Sequence, residues 1–155
     1  MATSGLASAP PSPTAAPPAT PAEALRFSGT TVDGKPFDAA ALAGRPVVLW
    51  FWAAWCPKCR AKAGDVAAVQ RDLSGRVHVI GVAGLRSGDA AMDRFVADAG
   101  ITGFPNLADD KGDVWKKFGV TTQEHFIIID KAGTIVHDGP LSGEDLRQRA
   151  TALAG

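Results

Sequence analysis

The chain has little cysteine, no net charge and no long apolar run. It contains two cysteines among 155 residues, and 16 basic residues balance 16 acidic ones. Because the chain has no excess of positive charge to attract phosphate groups, we do not expect nucleic acid as a partner. The longest apolar run, Pro46 to Trp55, is shorter than the roughly 20 residues that a membrane helix needs. A chain of this length can bury a core without disulfides, so the cysteines are not needed as staples.

The N-terminal segment differs in composition from the remainder of the chain. Residues 2–23 are mainly Ala, Pro, Ser, Thr and Gly. A segment of this composition buries too little apolar surface to compensate for the conformational entropy that it would lose on folding. We predict a disordered Pro/Ala-rich tether over residues 1–23 and one folded domain over residues 24–155. Such a tether suits a spacer that holds a domain away from a membrane, although a cloning remnant is an alternative. We expect that any export signal either lies outside this sequence or was never present.

Hydrophobic periodicity over residues 24–155 predicts alternating strands and helices. Trp50 and Trp52 lie in a continuous apolar strand and are expected to pack in the core. The predicted elements, in chain order, are a hairpin of 25–27 and 35–37 around the Asp33-Gly34 turn, strand 46–52, helix 57–73, strand 77–82, helix 89–99, short segments at 106–107 and 114–118, a hairpin of 126–129 and 134–136, and a last helix opened by Ser142. This order predicts an α/β fold with a central mixed β-sheet, helices on both faces and an N-terminal β-hairpin.

Two cysteines separated by two residues are compatible with a structural disulfide, part of a zinc site or a redox pair. A staple that closes so short a loop would remove little chain entropy. A zinc site needs four ligands, and the three histidines, His78, His125 and His137, show no paired spacing. We therefore favour the redox pair, and we expect neither a metal nor a cofactor.

The position of the cysteines predicts a different role for each. Cys56 follows the buried strand directly, and Cys59 falls in the first turn of the next helix, with Pro57 at the first helical position. The positive end of a helix stabilises an anion, so Cys56 is predicted to be the nucleophile and the more buried Cys59 the resolving cysteine. Lys58 should support the Cys56 thiolate modestly, and Trp55 should cover the disulfide on its exposed side.

The segment Trp52–Cys59 resembles the thioredoxin superfamily, in which an aromatic-rich strand ends in W-C-x-x-C. More narrowly, Arg45–Trp52, Asp33–Phe37 and Asp110–Trp115 are similar to the TlpA/ResA/DsbE group, and especially to secreted mycobacterial DsbE-type proteins. The resemblance covers about residue 25 to the C-terminus and implies a thioredoxin fold over residues 24–155. It also implies a monomeric extracytoplasmic enzyme, secreted or membrane-tethered, that acts on cysteines of exported proteins and has a membrane redox partner.

The chain departs from this family at three positions, one of which is Gly64, where the family usually has a proline in the helix. Glu124 stands where the family has a cis-proline before the strand 126–129, so we predict a trans peptide bond there. Trp50 stands where thioredoxins have a buried acid. Near the disulfide, a charged His125 would favour an oxidising pair and Glu124 a reducing one. The sequence leaves open which of these two side chains faces the cysteines, or whether both point to water.

Three functions remain open. The resemblance to secreted DsbE-type proteins favours an oxidase over a reductase. A peroxiredoxin-like peroxidase would need a Thr shortly before its cysteine, where this chain has Ala53 and Ala54. A thioredoxin-fold module that binds or chaperones exported chains through Gln123–His125, without catalysis, is the third possibility.

Overall fold

The structure of the chain, a computed structural model, describes residues 22–155. The predicted tether lies almost entirely outside these residues and stays a prediction. None of the helices in the described part of the chain is long and apolar enough to cross a membrane.

A five-stranded mixed sheet forms the centre of the domain, and a separate two-stranded hairpin precedes it. The strands are β1 (Ser28–Thr30), β2 (Pro36–Asp38), β3 (Val47–Trp52), β4 (His78–Ala83), β5 (Asn106–Ala108), β6 (His125–Ile129) and β7 (Ile135–Gly139). The strand order in the central sheet is β5-β4-β3-β6-β7. Strand β3 runs parallel to β4 and antiparallel to β6, so the strand that leads to the cysteines lies in the middle of the sheet.

Within residues 22–155, four α-helices and two 3₁₀ turns complete the fold. The helices are α1 (Pro57–Asp72), α2 (Asp89–Ala99), α3 (Asp113–Lys117) and α4 (Gly143–Ala154), and the turns are Glu23–Leu25 and Ala39–Leu42. Helix α4 begins as the capping pattern predicts, because Ser142 Oγ accepts a hydrogen bond of 3.0 Å from the Asp145 N–H.

The two faces of the sheet carry separate cores, because successive side chains of a strand point to opposite faces. Trp50 and Trp52 face a core that also contains buried side chains of α1, α2 and α4. Phe95 of α2 stacks on Trp52 with ring centroids 4.3 Å apart. Phe51 faces the second core, which contains α3 and both 3₁₀ turns. Every residue of β3 is buried, as its unbroken apolar run predicts.

The predicted α/β fold is confirmed, with helices on both faces of a mixed sheet and an N-terminal hairpin. The prediction for the start of that hairpin was wrong in its bounds. The segment 23–25 forms a 3₁₀ turn and β1 begins only at Ser28, because Leu25 is buried in the second core instead of pairing with β2.

Candidate active site

The two cysteines lie where β3 passes into α1. Cys56 is the N-cap of α1 and Pro57 is the first helical residue, so the thiol sits at the helix end whose N–H groups lack partners inside the helix. Cys56 Sγ accepts a hydrogen bond of 3.1 Å from the Cys59 N–H. The sulfur therefore occupies the position that a serine or aspartate oxygen takes at an ordinary helix start.

Both thiols are free and buried in this structure, with 2% of Cys56 and 0% of Cys59 exposed. The electrostatic surroundings of Cys59 distinguish the two. Burial raises the pKa of the Cys59 thiol far above its ordinary value, and the hydrogen bond with Cys56 and the charges of Cys56 and Glu124 act in the same direction. Cys59 is thus held as a neutral thiol.

The loop before β6 directs the Glu124 side chain into the core that contains Trp50 and both cysteines. The Trp50 Nε1–H donates to Glu124 Oε2 at 3.1 Å, and Lys62 Nζ lies 3.8 Å from Glu124 Oε1. Only 12% of the Glu124 side chain is exposed.

The backbone of this loop differs from the proline-containing form that the family resemblance implies. Every peptide bond from residue 22 to 155 is trans, which confirms the prediction for the bond before Glu124. Glu124 has φ +64°, a left-handed conformation that is uncommon for a residue with a side chain. Its N–H donates to the Phe51 carbonyl at 2.8 Å, a bond that proline could not make.

Burial raises the pKa of the Glu124 carboxyl above its ordinary value. The hydrogen bond from Trp50 and the charges of Lys62 and Lys58 oppose this effect only in part. Burial therefore shifts the titration of both acids of the site, Glu124 and Cys59, to higher pH than usual.

His125 does not face the thiols. It pairs with Phe51 across β3 and β6, and its ring packs edge-on against Phe51 on the side of the second core, with centroids 6.4 Å apart. Its Nε2 lies 2.6 Å from Asp138 Oδ1. The question that the sequence left open is answered in favour of Glu124, whose carboxylate accepts the Trp50 N–H in the core that contains both cysteines.

The loop after β4 forms the other side of the site. The half-exposed Trp55 donates its indole N–H to the Leu85 carbonyl at 2.9 Å, and the Ala54 N–H donates to Ser87 Oγ at 2.8 Å. Asp110 accepts bonds from the N–H groups of Ser87 and Gly88. These contacts fix a loop in which Leu85 has a φ of +57°. Lys58 and Pro57 are exposed beside it.

Three members of this site were not predicted as such from the sequence. Lys62 lies three residues after Cys59 on α1, a spacing that puts both on one helical face and could have indicated it. The contacts of Leu85 and Ser87 depend on how β4 meets α2, and no local pattern marks them. No group of three or more His, Cys, Asp or Glu side chains that could hold a metal ion occurs between residues 22 and 155.

Comparisons with known proteins agree with this geometry. Residues 21–138 match the family model described as the AhpC/TSA family. The soluble secreted antigen MPT53 of Mycobacterium tuberculosis is 37% identical over 135 residues, which cover 84% of this chain and 76% of the relative.

Two solved structures extend the likeness to the fold. MTB DsbF, in its mixed oxidised and reduced forms, has a TM-score of 0.81 and 41% identity, over 86% of this chain and 99% of that one. A secreted Mycobacterium tuberculosis disulfide oxidoreductase homologous to Escherichia coli DsbE has a TM-score of 0.76 and 36% identity, over 84% and 98%. The chain therefore belongs to the AhpC/TSA family and, within its thioredoxin-like members, to the thiol-disulfide oxidoreductases of the DsbE type.

Proposed function

We propose that this chain exchanges disulfides with exported proteins outside the cytoplasm, with Cys56 as the nucleophile and Cys59 as the resolving cysteine. One observation carries the assignment of roles. Cys56 Sγ lies at the start of α1 and accepts the Cys59 N–H, whereas Cys59 is fully buried with a raised pKa. A thiolate is stabilised at the first position and opposed at the second.

The exchange proceeds through a mixed disulfide. In the reducing direction, the Cys56 thiolate attacks a substrate disulfide and forms a bond to one substrate sulfur, while the other sulfur leaves as a thiolate. Cys59 then attacks Cys56 Sγ, closes the Cys56–Cys59 disulfide and releases the second substrate thiolate. The same steps in reverse oxidise a substrate dithiol.

The direction of exchange depends on which form of the pair the protein stabilises. The family resemblance favours oxidation, and a charged His125 beside the thiols would support it. However, His125 faces Phe51 and Asp138, whereas Glu124 lies in the core against Trp50, where its charge opposes the ionisation of Cys59 and helps to raise the pKa of that thiol. A carboxylate disfavours thiolates and hence the reduced form, so we propose that reduction is the working direction and that oxidation is the alternative.

The name of one relative supports a location outside the cytoplasm. MPT53 is described as a secreted protein, and secretion would place this chain among exported proteins whose cysteines it can meet. We propose that it works there as a monomer and that a membrane redox protein regenerates Cys56 and Cys59.

The test measures the reduction potential of the protein and two of its activities, insulin reduction and the refolding of a reduced substrate. We expect a reduction potential closer to that of thioredoxin, about −270 mV, than to that of DsbA, about −120 mV. We also expect the reduced protein to reduce insulin faster than the oxidised protein refolds a reduced substrate. A potential near the DsbA value, with the opposite order of rates, would assign the chain as an oxidase.

Two variants separate exchange from the other functions. Cys56→Ser should abolish insulin reduction, whereas Cys59→Ser should accumulate a mixed disulfide on Cys56. If Cys56→Ser retained full activity on exported chains, the chain would be a binding or chaperone module instead. Consumption of peroxide with a thiol donor, at a rate above that of insulin reduction, would indicate a peroxidase.

A further inference from the structure

We propose that the loop 84–88, which follows β4, forms one wall of the surface that receives the substrate chain, and that Arg86 on this loop favours substrate cysteines flanked by acidic side chains. This inference rests on the proposed function and deepens it, because it names the class of substrate with which Cys56 reacts fastest. In this arrangement Asp110 is a positioning residue that holds the loop in place.

The register of the central sheet brings Asp110 to the loop 84–88. Strands β4 and β5 are parallel and pair Ala83 with Ala108 at their carboxyl ends, so the segments that follow both strands leave the sheet at the same edge. The Asp110 carboxylate accepts the Ser87 N–H at 3.0 Å through Oδ1 and the Gly88 N–H at 2.8 Å through Oδ2. Both oxygens are thus engaged in fixing the end of the loop at which α2 begins.

The loop is also bonded to the two residues that precede the nucleophilic cysteine. The Trp55 indole N–H donates to the Leu85 carbonyl at 2.9 Å, and the Ala54 N–H donates to Ser87 Oγ at 2.8 Å. Arg86 lies between the two loop residues that accept these bonds, and it is exposed. It therefore occupies the tip of the loop, beside the redox pair.

Two successive residues of this loop have a left-handed backbone. Leu85 has φ +57° and Arg86 has φ +61°, in a region that residues with a side chain seldom adopt. Such a conformation costs free energy and persists only where the surrounding structure determines it. Here the bonds to Trp55 on one side and to Asp110 on the other determine it. The loop therefore presents a surface of fixed shape to an incoming chain.

The Trp55 ring adds an apolar patch to this surface. It is 54% exposed, more than Ile135 and Val136, the other exposed large apolar side chains in residues 22–155. Its indole N–H is already bonded to Leu85, which restricts the rotation of the ring. A substrate chain that packs on the ring therefore loses less side-chain entropy than it would against a freely rotating tryptophan.

The exposed charges around this surface favour an acidic partner. Lys58, in the first turn of α1, and Arg86 are both exposed. Two carboxylates of the site are already engaged, Asp110 by two backbone N–H groups and Glu124 by an indole N–H and an ammonium group. Asp89 is exposed in the first turn of α2, but within residues 22–155 it forms no ion pair with either cation. A substrate carboxylate would meet both cations, whereas a substrate lysine would be repelled.

The experiment compares three peptides that differ only in the residues on both sides of one cysteine, which are Glu, Gln or Lys. Each cysteine carries thionitrobenzoate in a disulfide. Exchange with the reduced protein closes the Cys56–Cys59 disulfide, frees the peptide thiol and releases one thionitrobenzoate, whose absorbance gives the rate. The rate of each peptide with β-mercaptoethanol, a small neutral thiol, corrects for the intrinsic reactivity of its disulfide.

We expect the corrected rate of the Glu peptide to exceed that of the Lys peptide about fivefold at low salt, within the range of exposed charge pairs. The ratio should approach one in about 1 M salt, where charges are screened within about 3 Å. Arg86→Gln should lower the low-salt ratio to about twofold or less. Arg71→Gln is the matched control, because it removes an exposed positive charge about 22 Å further along α1, and it should keep the full ratio.

A spectroscopic measurement tests the positioning role of Asp110. The chain has four tryptophans, so ¹⁵N-labelled protein gives four indole N–H signals, of which Trp55→Phe identifies one. We expect Asp110→Ala to shift the Trp55 signal and to lower the ratio of rates, while the Trp50 signal, whose bond goes to Glu124, stays in place. Asp110→Asn keeps one acceptor oxygen and should retain part of the ratio.

Equal corrected rates for the Glu and Lys peptides in the native protein would overturn this inference, and so would a full ratio in Arg86→Gln. An unchanged Trp55 signal together with an unchanged ratio in Asp110→Ala would remove the role of Asp110. Arg86 is an exposed loop residue, so its substitution tests the preference even if Asp110→Ala does not fold. Failure of the native protein to exchange with any of the three peptides would instead contradict the proposed function.

Discussion

Glu124 combines a buried carboxyl, a left-handed backbone and a raised pKa, and each of these features costs stability. The sign of the pH effect follows from the pKa. As pH rises past the unfolded-state pKa of about 4.3, the unfolded chain loses this proton before the folded one does, so Glu124 lowers the free energy of unfolding. Its removal should therefore stabilise the protein at neutral pH.

We expect Glu124→Gln to unfold at a higher urea concentration than the native protein at pH 7. The difference should vanish at about pH 4 and below, where Glu124 is protonated in both states. Urea unfolding at the two pH values measures the effect, with Glu144→Gln as the exposed control. A variant that is less stable than the native protein at pH 7 would show that the pair with Lys62 outweighs the burial of the charge.

The Cys59 thiol should make the reduced protein less stable at alkaline pH. Its folded pKa is raised by burial, so its contribution is complete below the unfolded-state value of about 8.5 and is lost as pH rises above it. The reduced protein should lose about 1.4 kcal/mol of stability per pH unit there from this residue. Cys59→Ser should have a shallower slope between about pH 8.5 and 10. Equal slopes would mean that the Cys59 thiol ionises as easily when folded.

Among the secondary-structure elements, β4 is packed closely against its neighbours at Gly81. A Cβ at this position would overlap the Asn106 side-chain amide and press on the Trp52 indole. The Asn106 amide joins three parts of the fold, because it accepts the Trp52 N–H at 3.1 Å and donates to the carbonyls of Ile101 and Phe104. This link ties β3 to β5 and to the segment before it.

A pair of glycine substitutions tests this packing. Gly81→Ala should destabilise the protein by about 1–3 kcal/mol, because neither the amide nor the indole can move freely. Gly64→Ala in α1 should stabilise it by about 0.5–1 kcal/mol, because a Cβ there meets nothing within 4 Å. Thermal or urea unfolding of both variants provides the comparison. Equal effects would contradict the close approach of Asn106 to Gly81.

Strand β3 and helices α1 and α2 could be predicted from sequence because their signals are local. The apolar run of β3 and the helical spacing in α1 and α2 need no knowledge of their neighbours. The direction of Glu124 could not be predicted in the same way. It depends on the loop before β6, in which Glu124 has a φ of +64° and donates its N–H to the Phe51 carbonyl.

At the scale of the whole molecule, the redox state of the cysteines is linked to the stability of the fold. The difference in unfolding free energy between the oxidised and reduced forms equals the difference in disulfide stability between the folded and unfolded chains. A protein that reduces its substrates should therefore have a larger free energy of unfolding in its oxidised form than in its reduced form. We expect the oxidised protein to unfold at the higher denaturant concentration in matched urea titrations at pH 7. The reverse order would support the oxidase.

The hydrogen bond between Trp50 and Glu124 joins residues that are 74 positions apart in the chain. A carboxylate at position 50 would face another carboxylate at position 124, and a proline at 124 would leave the Trp50 N–H without its acceptor. The two positions should therefore covary among relatives. An acid at position 50 should accompany a proline at position 124, and a tryptophan at position 50 should accompany a glutamate at position 124. A double-mutant cycle of Trp50→Asp and Glu124→Pro would reveal this coupling, since the paired change should be less damaging than the sum of the two single ones.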